Sequence, residues 1–297
     1  MELLSQAIKD VSATSFLTLF CHALESKSAQ PILHDPWAVE ITKQLAPQLQ
    51  SSDNPLYQNL VRGKLDREIV IYVNLRARKY DQYARDFLQR KPEGIIVNLG
   101  CGLDPRFQRI DDGKLTFYDL DFPEVIAFKK QCFSANERYK FIPSNLLNYQ
   151  WMEELLSLRD KQFLFLIEGV LMYLHEEEVK SLILTLQSKF PGCELVAEVC
   201  NSFWLRQPFR SLMNLRLRRK LGFGSEATFN FGISDSEALE SWHQNISFLD
   251  DWSFLDEPEA QFGRLKLLKN IDLVRKTLWT VHYSFSHPGD VHSVKNF

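Results

Sequence analysis

Two glycines and an acid at the end of an apolar run are the residues of this chain that most readily suggest chemistry. In "IIVNLGCGLDPRF" (95–107) the apolar run leads into Gly100 and Gly102, then Asp104 and Pro105. Glycine at a strand end permits a tight turn and lets main chain approach a ligand closely. Asp104 followed by Pro105 reads as a helix start, with Asp as the N-cap and Pro at the first helical position. Backbone N–H groups and a helix N-terminus would then face something polar. A second run, "LTFYDLD" (115–121), ends on Asp121, 19 residues after Gly102. An acid at about that distance hydrogen-bonds a ribose hydroxyl in nucleoside-binding sheets. The two features predict a site for an adenosine-type cofactor; the competing reading is a plain strand-to-helix turn.

Pro105 stands where the dinucleotide fingerprint G-x-G-x-x-G has its third glycine, so a pyrophosphate would lose its close approach to the helix. A ligand without phosphates fits better, and S-adenosylmethionine is the leading candidate. Arg76 is a second candidate contact. Ile69, Val73, Tyr80, Tyr83 and Phe87 make one apolar stripe on a helix expected over 64–90, and Arg76 falls inside it while Arg78 falls almost opposite. A core-facing guanidinium needs an acceptor. The cofactor's carboxylate, gripped at two points, would serve; a buried ion pair with a protein acid is the alternative.

These residues need a scaffold. Apolar runs at 95–100, 115–121, 139–143, 162–169 and 193–199 read as strands buried on both faces of a parallel sheet. Between the last two, Val179, Leu182, Ile183, Leu186 and Phe190 share a helical face behind the acidic start Glu176–Glu178. Alternation of this kind predicts an α/β doubly wound domain. Runs at 246–252 and 277–287 read as further strands around a helical segment near 257–270, the last as an antiparallel edge strand. The expected organisation is one domain: a helical cap (1–90), a cofactor-binding core (91–200), a lid insertion (201–232) and the C-terminal part of the sheet (233–297).

Composition narrows the class. The chain has 297 residues, 45% of them apolar and 25% charged, with net charge −3. This balance supports a substantial core and suggests neither disorder nor a nucleic-acid partner. Five scattered cysteines without a C-x-x-C argue against a disulfide framework or zinc site and suit a cytoplasmic protein. No secretory signal is recognisable, and the longest apolar stretch, 163–174, is too short to span a bilayer.

"VNLGCGLDPRFQRI", "FYDLDFPEVIAFKK" and "EGVLMYLHEEEV" resemble the leucine carboxyl methyltransferase family, which includes bacterial polyketide O-methyltransferases. "SATS", "HALES", "ILHDPWA" and "LRARKYD" resemble its cap region. The resemblance covers roughly residues 10–200. It implies a class I methyltransferase fold, Rossmann-like, with seven strands of which the last is antiparallel. It implies that Gly100 and Gly102 lie along the methionine part of the cofactor and that Asp121 holds the ribose. Asn145 and Leu146 would flank the adenine, and Glu168 would lie near the methionine amine. The family also places a cofactor-binding arginine in the segment of Arg76. "SATSFLTLF" lacks the lysine of the phosphatase-methylating members, and His22 stands where bacterial members often carry arginine.

The expected activity is therefore methyl transfer from S-adenosylmethionine to a carboxylate or hydroxyl of a small molecule, leaving S-adenosylhomocysteine. A carboxylate acceptor needs no general base, whereas a hydroxyl usually does. Tyr173 and His175, after the fourth strand, stand on the correct edge for that role or for orienting the acceptor; a packed ring and a helix start are their plainer readings. The lid stretch carries Trp204, Phe209, Phe223 and Phe229 with Arg206, Arg210, Arg216, Arg218 and Arg219, which would suit an aromatic or anionic acceptor, and Gly222 and Gly224 as hinges. A solvated basic helix face is the alternative there. Competing functions are a protein C-terminal carboxyl methyltransferase, a nicotinamide oxidoreductase and a non-catalytic cofactor-binding protein. No membrane partner is expected.

Overall fold

The computed structural model describes residues 13–212, 215, 228–258 and 269–287. Seven strands form one sheet: β1 (Ile95–Leu99), β2 (Thr116–Asp121), β3 (Tyr139–Pro143), β4 (Phe163–Ile167), β5 (Glu194–Cys200), β6 (Ile246–Trp252) and β7 (Leu278–Phe285). Their order is β3-β2-β1-β4-β5-β7-β6. The first five are parallel, and β7 runs antiparallel to both β5 and β6. This is the sheet that the sequence resemblance implies.

Alternate residues of the central strands feed two cores. Ile96, Phe117, Leu164, Leu166 and Val196 face one side, and Ile95, Val97, Leu99, Phe163, Phe165 and Ile167 the other. Both faces are covered, which is why β1 and β4 are apolar at nearly every position. The first face carries α1 (Ala13–Glu25), α2 (Pro36–Gln50), α3 (Pro55–Val61) and α4 (Arg67–Arg90). Short α5 (Arg106–Ile110) and α6 (Pro123–Cys132) join them. Against the second face lie α7 (Met152–Leu156) and α8 (Glu176–Lys189), the latter burying Val179, Leu182, Ile183 and Leu186 as its spacing predicts. A short α9 (Asp272–Arg275) precedes β7.

β7 is antiparallel but not an edge strand; it lies between β5 and β6, with Val281 opposite both Ala197 and Asp251. Burial explains this: Trp279–Tyr283 are buried without a break, so neither face nor flank of the strand is left for water. The edge is β6, whose Asp250 and Asp251 bear the charge that guards an open strand. Most of the helical segment expected near 257–270 lies outside the described residues.

The 24-residue helix α4 positions the site. Asp66 caps it by accepting from the N–H groups of Glu68 and Ile69. At about 1.5 Å per residue it is roughly 36 Å long, enough to cross the sheet. Arg76 therefore meets Glu168 beyond the carboxyl end of β4, while Arg90 meets Glu194 at the start of β5.

Candidate active site

The loop after β1 is fastened to the end of β2. The N–H groups of Gly100 and Cys101 both donate to the Leu120 carbonyl, at 2.8 and 3.0 Å. Gly100 has φ +74°, and a Cβ there would collide with the Val170 side chain; Gly102 has φ +50°. Both positions demand glycine. The Gly102 N–H donates to Asp121 Oδ2 at 2.7 Å, and the Phe122 N–H to Oδ1 at 2.8 Å. Burial raises the Asp121 pKa, and the two N–H donors only partly offset it. Two backbone donors thus fix the carboxylate's direction while leaving about half of its acceptor positions for a ligand. The Ser144 N–H donates to the Asp121 carbonyl and draws the loop after β3 to the same place. Asn145 is exposed there, its Oδ1 accepting from the Leu147 N–H. Leu146 is buried, with its carbonyl accepting from Trp151 Nε1.

Arg76 and Glu168 meet across the mouth of the sheet. Arg76 Nε donates to Glu168 Oε1 at 2.7 Å, and Nη1 donates to Glu198 Oε1 and Oε2 at 3.0 and 2.8 Å. The two-point grip expected for a ligand is therefore held by a protein acid, Glu198 of β5. Nη2 is not among the nitrogens that hold these two acids. The Tyr72 hydroxyl donates to Glu198 Oε1, and the Arg76 guanidinium lies over the Tyr72 ring. Glu168 Oε2 accepts from Arg106 Nη2 at 2.5 Å. Burial opposes ionisation of Glu168, but Arg106 and Arg76 outweigh it and hold its pKa below the usual carboxylate range. Arg78, by contrast, points outward to Glu257.

Residues 15–187 match the sequence profile of leucine carboxyl methyltransferase. The chain belongs to the leucine carboxyl methyltransferase family. Among its relatives, the tetracenomycin polyketide synthesis O-methyltransferase TcmP of Streptomyces glaucescens is 27% identical over 249 residues, covering 84% of each chain. The S-adenosyl-L-methionine-dependent methyltransferase dpfgK of Gibberella zeae is 29% identical over 198 residues, 63% of each chain. Among solved structures, a DUF574 family protein from Streptomyces avermitilis superposes with TM-score 0.53 at 9% identity, covering 91% of this chain and 97% of that one. The last likeness is one of fold.

Several polar residues of the site were not anticipated. Arg106 is almost wholly buried and donates to Asp81 at 2.9 Å as well as to Asp104 and Glu168, with its guanidinium over the Tyr80 ring. Arg109 donates to Asp35, Asp81 and Asp104 at 2.5–2.8 Å. Asp104 is therefore not the cap of α5, which starts at Arg106 without a side-chain cap. Its carboxylate is taken by Arg109 and Arg106, which overcome burial and push its pKa far down. The signals in the sequence were the arginines of "DPRFQR" and the second glutamate, Glu198, of "ELVAEVC"; their partners, Asp35 at the start of α2 and Arg76 and Asp81 on α4, lie too far along the chain to be read by spacing.

His22, Asp35 and Asp104 have the ligand types of a metal site. Arg109 Nη1 already lies 2.7 Å from Asp35 and 2.5 Å from Asp104, so a guanidinium fills the position a cation would take.

Tyr173 is half-buried, its ring edge-on to Phe229 at 5.3 Å. Burial, with the Glu198 charge behind it, pushes its phenol up to about 12. His175 is exposed at the start of α8, where its backbone N–H donates to Glu178. In the lid stretch, Phe203, Trp204 and Phe209 cluster, and Arg210 donates to Asn230 at 2.8 Å. Arg206 is exposed. Arg216, Arg218, Arg219, Gly222, Phe223 and Gly224 lie outside the described residues.

Proposed function

We propose that the protein transfers the methyl group of S-adenosylmethionine to an oxygen of a small-molecule acceptor. The observation that carries this reading is the Asp121 carboxylate, aimed by the Gly102 N–H and set beside the Arg76–Glu168 pair on neighbouring strand ends. Membership of the leucine carboxyl methyltransferase family supports methyl transfer, and the relative TcmP supports oxygen as the acceptor atom.

The residues present fit such a cofactor. Asp121 has acceptor positions open for ribose hydroxyls, and Arg76 Nη2, which holds neither Glu168 nor Glu198, is the nitrogen to meet a carboxylate. Gly100 and Gly102 bare main chain between them, Asn145 and Leu146 border the adenine side, and Glu168 stands by for an ammonium. When bound, S-adenosylmethionine supplies a sulfonium methyl that is already activated. The chain's own work is then to align the acceptor oxygen and exclude water. A carboxylate acceptor arrives ionised. Tyr173 serves as a donor that orients the acceptor rather than as a base, because its phenol stays protonated at neutral pH. His175 is the group left to accept a proton from a hydroxyl acceptor. Residues 1–90 act as a cap and 201–232 as a lid that admits aromatic or anionic acceptors, all within one domain.

Calorimetry with S-adenosylmethionine, S-adenosylhomocysteine and NAD, followed by methyl-label transfer to panels of carboxylates and phenols, tests the reading. Binding of the first two and label in a base-stable ether or base-labile ester is expected. Preference for NAD would overturn it.

A further inference from the structure

The ion pairs beneath the site do not balance. Three arginines, Arg76, Arg106 and Arg109, are shared among five carboxylates: Glu168, Glu198, Asp81, Asp104 and Asp35. All of these side chains are at least mostly buried, the most open, Arg76, being 13% exposed. His22 approaches Asp35 at 3.2 Å and Asp104 at 3.9 Å, and even if protonated it would leave the carboxylates in excess. Buried charge without a counter-charge is costly, so the cluster is built to receive a cation.

Glu198 and Asp35 are the two carboxylates of this cluster that meet a single arginine each. Asp81, Asp104 and Glu168 each meet two arginines; Asp35 also accepts from the Ala38 N–H and lies beside His22, whereas among the described residues Glu198, which shares Arg76 with Glu168, has only the neutral Tyr72 hydroxyl besides. Its side chain is 1% exposed, so water does little to screen it. Oε2 lies beneath the turn that follows Glu168: a Cβ on Gly169, which has φ +70°, would stand 3.6 Å from that oxygen and 3.6 Å from Arg76 Nη2. The unbalanced charge therefore sits against the main chain that borders the reacting end of the site.

We infer that Glu198 is a specificity-determining residue that makes the site prefer the positively charged methyl donor over its neutral product. The inference rests on the proposed cofactor. S-adenosylmethionine carries an ammonium, a carboxylate and a sulfonium, for a net charge of +1; transfer of the methyl leaves a thioether and a net charge of zero. The Glu198 carboxylate acts on that difference through space, without touching the reacting atoms. Once the methyl has left, the attraction drops and the product is released. Arg76, whose Nη1 is held by Glu198, keeps Nη2 for the carboxylate that donor and product share.

The test is calorimetry of wild type, Glu198→Gln, Glu198→Asp and Glu194→Gln with three ligands: S-adenosylmethionine, S-adenosylhomocysteine and sinefungin, which bears an ammonium where the sulfonium stands. Folding of each variant is checked by its thermal transition. Glu198→Gln should lose about ten- to a hundredfold in affinity for the two cationic ligands and less than about threefold for the neutral product. Glu198→Asp, which keeps the charge, and Glu194→Gln, at the far end of the sheet, should both retain the wild-type preference. Equal weakening of all three ligands by Glu198→Gln would mark Glu198 as merely structural and overturn the inference. Tighter binding of the product than of sinefungin by wild type would overturn it without any variant. If wild type bound none of the three, the cofactor reading itself would fall.

Discussion

Helix α4 brings Arg76 to the carboxyl end of the sheet's strands and Arg90 to their amino end, and the two places handle charge differently. At the carboxyl end, Arg76 joins a buried cluster in which carboxylates outnumber arginines. At the amino end, Glu194 accepts from Arg90 and His282, while Asp250 accepts from Tyr83 and faces His282 Nδ1 at 3.6 Å. There, His282 when it carries its proton matches the two acids together with Arg90, which is 47% exposed. One end closes its balance within the protein and near water. The other leaves it open in a dry place. The difference teaches where to look for a ligand: an ionic cluster that is complete contributes to stability, and one that is incomplete asks for something to bind.

Removing a buried partner should give the largest effect. Arg106→Met strips Asp81, Asp104 and Glu168 of a shared cation, and denaturant unfolding should register a loss of about 3–5 kcal/mol. A loss below about 1 kcal/mol would mean that the cluster tolerates imbalance without a ligand.

Two aspartates on β2 sharpen the contrast next. Asp119 is buried against Lys129 Nζ at 2.7 Å, the Tyr139 hydroxyl and Asn98, a complete set. Asp121 keeps open acceptor positions. Asp119→Ala should therefore cost stability by stranding Lys129, whereas Asp121→Ala should weaken S-adenosylmethionine binding about ten- to a hundredfold with a smaller change in unfolding. Equal losses of affinity in variants that remain folded would contradict this division.

Along α4 itself, Arg76→Ala should lower cofactor affinity by a similar ten- to a hundredfold. Arg76→Lys should also impair it, because an ammonium cannot hold Glu168 and Glu198 while offering a third nitrogen. Arg78→Ala, which removes a side chain that pairs with Glu257 instead of Glu168 and Glu198, should be mild. A damaging Arg78→Ala would move the clamp to the other face of the helix.

The amino end should respond to pH instead. Burial opposes protonation of His282, but hydrogen bonds to Asp250 and Glu194 win and raise its pKa. Its contribution is thus fully present below the unfolded value near 6.5 and is lost as pH rises through the folded value. The Tm difference between wild type and His282→Gln should be widest at acidic pH and shrink above neutrality; a difference that grows with pH would reverse the assignment. Smallest of all, Arg90→Ala should cost at most about 1 kcal/mol in unfolding experiments, being a half-exposed pair.

The parts of this arrangement that could be read from the sequence are the local ones. Buried parallel strands are apolar runs, so β1 to β5 were legible almost to the residue, and so was α8. Gly102 follows β1 and Asp121 ends β2, strands that pair in register with Leu99 opposite Leu120, so spacing alone brought them together. Arg76 was legible from the helix phase, but its partners were not. Glu198 and Arg106 came from separate segments, and only the crossing of α4 over the sheet joins them. The same limit applies to β7: alternation marked a strand, but its place between β5 and β6 depends on pairing across the whole C-terminal region.

A crystal structure with S-adenosylhomocysteine would locate the cofactor on these residues. Ribose hydroxyls are expected on the Asp121 carboxylate, main chain of Gly100–Gly102 alongside the thioether chain, and the amino-acid carboxylate on Arg76 Nη2, with Glu198 still holding Nη1. Adenosine bound elsewhere on the molecule, or at the strand ends but with its ribose away from Asp121, would contradict that placement.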